Sequence, residues 1–63
     1  MVNLKVGAVL FANEDTLLLT DRTMFAAPVG MVLPALPPGS TVVVEYEVRD
    51  GQNILASVPA IRS

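Results

Sequence analysis

The sequence predicts an all-β fold, a small barrel of five short antiparallel strands. Three observations predict it. Strand-like stretches rich in Val, Leu and Thr recur every few residues, with turn residues between them. No stretch sustains the 3.6-residue apolar period of an amphipathic helix. The chain has 63 residues, enough for a single core, and a sheet without covering helices buries its apolar face best by closing on itself.

Residues 3–11 form the first expected strand. Apolar side chains stand on both of its faces: Leu4, Val6, Ala8 and Leu10 on one, Val9 and Phe11 on the other. Gly7 within the run marks a bend or a close backbone approach. Asn13-Glu14-Asp15 is a turn cluster. Residues 16–20 follow as the second strand, and a period of two buries Leu17 and Leu19 together. Asp21-Arg22 is the next turn, without the glycine that tight hairpins prefer. Residues 23–26 make a short third strand that Pro28 stops, because proline cannot donate to a ladder.

The segment from Pro28 to Ser40 holds all the prolines but Pro59. It excludes a long regular helix and leaves room for one helical turn around residues 32–36, with Leu33 or Leu36 plugging one end of the core. Pro38-Gly39 reads as a type II turn. Residues 41–49 alternate most clearly. Val42, Val44, Tyr46 and Val48 face inward, while Val43, Glu45, Glu47 and Arg49 face out. Asp50-Gly51 is a type I′ hairpin signal. The last strand is expected over residues 52–60 with Ile54, Ala56 and Val58 inward. A meander, a proline-rich crossover and a terminal hairpin match an OB-like barrel. An SH3-like barrel is the alternative order.

The cadence of the second half is distinctive: Leu33-Pro34, Leu36-Pro37-Pro38-Gly39, Val42-Val43-Val44-Glu45-Tyr46 and Asp50-Gly51-Gln52-Asn53, preceded by Leu17-Leu18-Leu19-Thr20-Asp21. Over residues 16–58 it resembles a group of small bacterial OB-like domains of unknown function, commonly exported to the periplasm. The resemblance implies a periplasmic location and carries no functional residues. The chain departs from the pattern at Arg22, where those domains have glycine, and in its greater proline content.

Composition narrows the function. Without cysteine or histidine, a disulfide, a Cys/His metal site and histidine-based catalysis are all excluded. Ser40, Ser57 and Ser63 have no evident base. Glu45 and Glu47 share a strand face, which reads as a charged exterior that discourages edge pairing. No glycine-rich phosphate loop occurs. The expectation is a non-enzymatic protein with no cofactor. Lys5 ahead of the apolar run 6–12 has the order of a signal peptide, but the run is short and reads as a strand. No apolar run reaches the about 20 residues of a membrane-spanning helix.

Nucleic acid fits the composition poorly: Lys5, Arg22, Arg49 and Arg62 face six carboxylates, for a net charge of −2, whereas single-strand binders use a positive groove with stacking rings. It is the alternative reading. The main reading is an interaction module that binds a protein partner or its own copy, because 52% of the residues are hydrophobic and so small a core cannot take them all. Leu18, Met24, Phe25, Met31, Val43 and Leu55 are the candidate interface residues.

Overall fold

The computed structural model describes residues 1–62; Ser63 lies outside the described residues. Six strands form: β1 (Asn3–Ala12), β2 (Thr16–Leu19), β3 (Met24–Ala26), β4 (Thr41–Arg49), β5 (Gln52–Leu55) and β6 (Ala60–Arg62). The sheet runs β1-β2-β3-β5-β4, and β4 returns to pair with β1, so five strands close a small barrel with β6 as an addition. The all-β barrel is as expected. It is mixed, however, not wholly antiparallel: β3 and β5 meet in parallel, through the single register pair Ala26↔Ile54.

β1 is long enough to belong to two pairings. Its first half, Asn3 to Ala8, pairs with β4, and its second half pairs with β2. Between them the register slips: Val9 opposes Leu19 but Phe11 opposes Leu18. One extra residue, Leu10, is therefore accommodated as a bulge, which bends the strand and resets which side chains face in. Phe11, which alternation alone would set on the face of Val9, therefore points outward. Val9 and Ala12 turn inward on either side of the bulge, while Leu4, Val6, Leu10 and Phe11 are exposed.

The core gathers the inward residues of every barrel strand. Val9, Leu17, Leu19, Phe25, Val42, Val44 and Leu55 are buried, and Leu33 and Leu36 of the crossover join them. Phe25 stands edge-on to Tyr46 with ring centroids 5.0 Å apart, a favoured aromatic geometry. Gly7 answers a packing need: a Cβ there would come within 2.8 Å of Leu19 Cδ1.

The segment between β3 and β4 contains no helical turn. Its prolines remove the amide donors a helix requires, and it spends its remaining donors elsewhere. Leu33 N donates to the Glu14 carbonyl at 3.0 Å, Gly39 N to Val9 O at 2.7 Å and Ala27 N to Asp15 O at 2.9 Å. The extended strap is thus tied across the end of the barrel near the β1–β2 turn. Both Leu33 and Leu36 plug it. Gly30 and Gly39, each with φ 90°, take the left-handed position of turns closed by Met31 N to Pro28 O and Ser40 N to Pro37 O.

The last strand is corrected most. It breaks after Leu55, and β6 resumes on the same edge of β4. Leu55 opposes Tyr46 and Ala60 opposes Val43, so residues 56–59 span a gap of only two residues in β4 and loop out. Leu55, not Ile54, is the buried residue. The cause is the two-residue turn at Asp50 (φ 51°) and Gly51 (φ 78°), which pairs Arg49 with Gln52 and so places Leu55 on the inward face of Tyr46. Val48 shares that face, yet it is 59% exposed because the hairpin tip extends past the end of β1.

This register predicts unequal costs. Leu55→Ala should destabilise the domain by about 2–5 kcal/mol, and Val48→Ala should stay within about 0.5 kcal/mol of the parent. Urea unfolding followed by circular dichroism measures both; comparable losses would mean the hairpin is paired differently.

Candidate interaction surface

Register carries the apolar pattern from strand to strand on the outside as well as the inside. Phe11 opposes Leu18, and Leu18 opposes Met24. A row Phe11–Leu18–Met24 therefore crosses β1, β2 and β3 on the outer face. Phe11 is 51% and Met24 57% exposed, with Leu18 half-buried between them. A second row crosses the other side: Val6 opposes Val43, and Val43 opposes Ala60. Val6 and Ala60 are exposed and Val43 is half-buried. Leu4 and Leu10, also exposed, extend the apolar surface along β1.

Of the six residues read from the sequence, Leu18, Met24 and Val43 thus stand on the outer face. Phe25 and Leu55 do not: they are 0% and 2% exposed in the core, because pairing with Leu17 and Tyr46 turns them inward. Met31 is half-buried and packs against the core from the crossover. Phe11, Val6 and Leu4 were missed. Alternation along β1 offered two apolar faces; pairing with Glu45 and Val43 turns Leu4 and Val6 outward, and the bulge turns Phe11 outward.

Turn chemistry holds the ends of these rows. Asn13 Oδ1 accepts from Asp15 N at 3.0 Å and from Thr16 N at 2.8 Å, so the Asn side chain closes the β1–β2 turn. Asp21 Oδ1 accepts from Thr23 N at 3.0 Å in the β2–β3 turn. That turn is a three-residue connection over residues 20–22, with Arg22 N donating to Leu19 O and Arg22 itself left-handed at φ 74°. A glycine would occupy this position without strain.

Ion pairs neutralise part of the charge. Lys5 Nζ lies 2.8 Å from Asp21 Oδ2, linking β1 to the β2–β3 turn at the end of the barrel opposite the leucine plug. Hydrogen bonding to Lys5 and then to Thr23 holds the Asp21 carboxyl well below the usual carboxylate range, and Asp21 in turn raises the Lys5 ammonium. Glu47, one of the two strand-face carboxylates, pairs with Arg49 at 2.9 Å and with the terminal amine at 3.8 Å. Among the described residues no group of His, Cys, Asp and Glu side chains has a metal-holding arrangement, and no helix is long and apolar enough to cross a membrane.

An open groove of about 410 Å³ adjoins the first apolar row. It lies where β3 and β5 splay beyond their one register pair, between the β2–β3 turn and the β4–β5 hairpin. Arg22, Thr23, Met24, Gln52 and Asn53 line it. Asn53 Nδ2 bridges the seam to Met24 O at 3.2 Å, in place of a ladder bond.

No protein-family model matches this chain, and no curated protein or solved structure matches it either.

Two outcomes follow from the turn. Arg22→Gly should stabilise the domain by about 0.5–1 kcal/mol, as relief of left-handed strain outweighs the added freedom of the unfolded chain. Calorimetry should show a melting point higher by about 2–8 °C. The pH dependence has a definite sign. Because the folded Asp21 carboxyl is depressed below 3.8, its stabilisation is present above that pH and is lost as pH falls through and below it. Lys5, raised above 10.5, loses its contribution only as pH rises past that value. Asp21→Asn keeps the acceptor for Thr23 N and removes the charge. Its melting-point deficit should therefore be full at neutral pH and vanish in acid; a constant deficit would place the effect elsewhere.

Proposed function

We propose that this barrel is an OB-like, non-enzymatic interaction module that associates with a second copy of itself through the outer face of β1, β2 and β3. The observation that carries the reading is the exposed row Phe11–Leu18–Met24. Rows of this kind on a monomer's surface mark interfaces, and a closed core leaves these side chains no internal partner. The strand order β1-β2-β3-β5-β4 with return to β1, and the crossover between β3 and β4, support the OB-like reading. In such barrels the face of strands two and three is the customary place for a ligand, and here that face carries Leu18 and Met24.

Single-stranded nucleic acid has less support. Lys5 and Arg49 are each paired with a carboxylate, and Phe11 is the one exposed ring among the described residues. A stacking platform in a positive groove needs more of both.

Light scattering over a concentration series tests the proposal. The wild-type chain should move from monomer to dimer mass as concentration rises. Phe11→Glu should remain monomeric at every concentration while melting close to the parent, since Phe11 lies outside the core. A wild-type chain that stays monomeric throughout, or a Phe11→Glu variant that still dimerises, would overturn it.

A further inference from the structure

We infer that the groove between the β2–β3 turn and the β4–β5 hairpin is a binding site for a small hydroxylated carboxylic acid of the sugar-acid kind, anchored by Arg22. This goes beyond self-association: the groove adjoins the outer row and shares Met24 with it, while Arg22, Gln52 and Asn53 lie outside the row. The groove's about 410 Å³ falls within the range of small-molecule sites. Its lining combines the parts such a ligand needs. Arg22 presents a guanidinium fork, the group best matched to a planar carboxylate. Gln52 carries a side-chain amide that can donate to and accept from hydroxyls, and Asn53, whose Nδ2 already donates to Met24 O, keeps its amide oxygen as an acceptor. Met24 and Ala26 supply an apolar floor for the C–H face of a ring.

Two features single out Arg22. It has no carboxylate within ion-pair distance among the described residues, whereas Lys5 and Arg49 do. It also occupies a left-handed backbone position, φ 74°, where glycine is strain-free. Strain retained at a groove lip is a mark of functional residues. The surroundings favour a monoanion over a phosphate dianion, because Asp21 and Asp50 adjoin the groove-lining residues in the chain and the net charge is −2.

Titration with glucuronate, followed by amide chemical shifts, tests the assignment. Saturable shifts are expected at Thr23, Met24, Gln52 and Asn53. Binding should weaken about tenfold or more for glucose and in Arg22→Gly, the size of effect a lost charged hydrogen-bond pair produces. Arg22→Gly is expected to fold at least as well as the parent; Arg22→Gln supplies the same comparison if it does not. Phe11→Glu should bind glucuronate unchanged, which separates this site from the outer face. The assignment is overturned by an absence of saturable shifts at millimolar ligand, by inorganic phosphate binding as well as glucuronate, by full affinity in both Arg22 variants, or by loss of binding in Phe11→Glu.

Discussion

The structure depends on β1 acting as two strands. Its first half pairs with β4 and its second half with β2, so this one segment joins the terminal hairpin to the meander. The two partners lie on opposite edges of β1, so this strand closes the barrel. The extra residue at Leu10 supplies the bend. Without it Val9 and Ala12 could not both face Leu19 and Leu17 from the inside, and the barrel would open into a sheet with one apolar face in water. Gly7 serves the same closure, because a side chain there would collide with Leu19.

Closure elsewhere is thinner, and the chain compensates with turns and ties. The β3–β5 seam rests on one register pair and on the Asn53 side chain. The two ends of the barrel differ in chemistry. Leu33 and Leu36 plug one with apolar bulk on an extended strap, and at the other the surface ion pair of Lys5 with Asp21 links β1 to the β2–β3 turn. With no cysteine to form a disulfide and no helix among the described residues, the domain relies on its buried aliphatic residues. What remains apolar lies outside, along β1 and across to β2, β3 and β4. The groove arises from the same economy: where the seam splays, backbone and polar side chains are left facing an opening.

Local chemistry was legible residue by residue. Leu17 and Leu19 are buried as their alternation requires, Val42 and Val44 likewise, and Asp50-Gly51 and Pro38-Gly39 form the turns their residues demand. The inward face of the last strand was also legible in principle. A two-residue hairpin at Asp50-Gly51 pairs Arg49 with Gln52 and therefore Tyr46 with Leu55, so the turn and the alternation of β4 together outweigh the apolar series Ile54, Ala56, Val58. The missing helical turn was legible in part, since Pro34, Pro37 and Pro38 each remove a donor.

The amino-acid sequence by itself determined the class of fold, the turns and the core of the alternating strands, because period and turn geometry act over a few neighbouring residues. Tertiary structure alone decided the rest. Pairing with β4 sets Leu4 and Val6 outward, and the bulge at Leu10 sets Phe11 outward. Phe25 is core because it pairs with Leu17, and Phe11 is surface because the bulge sets it opposite Leu18, although both are aromatic residues in short apolar runs. The outer row and the groove are built from residues 11, 18, 22, 24, 52 and 53, which no local window brings together; long-range strand pairing, chosen by burial, does.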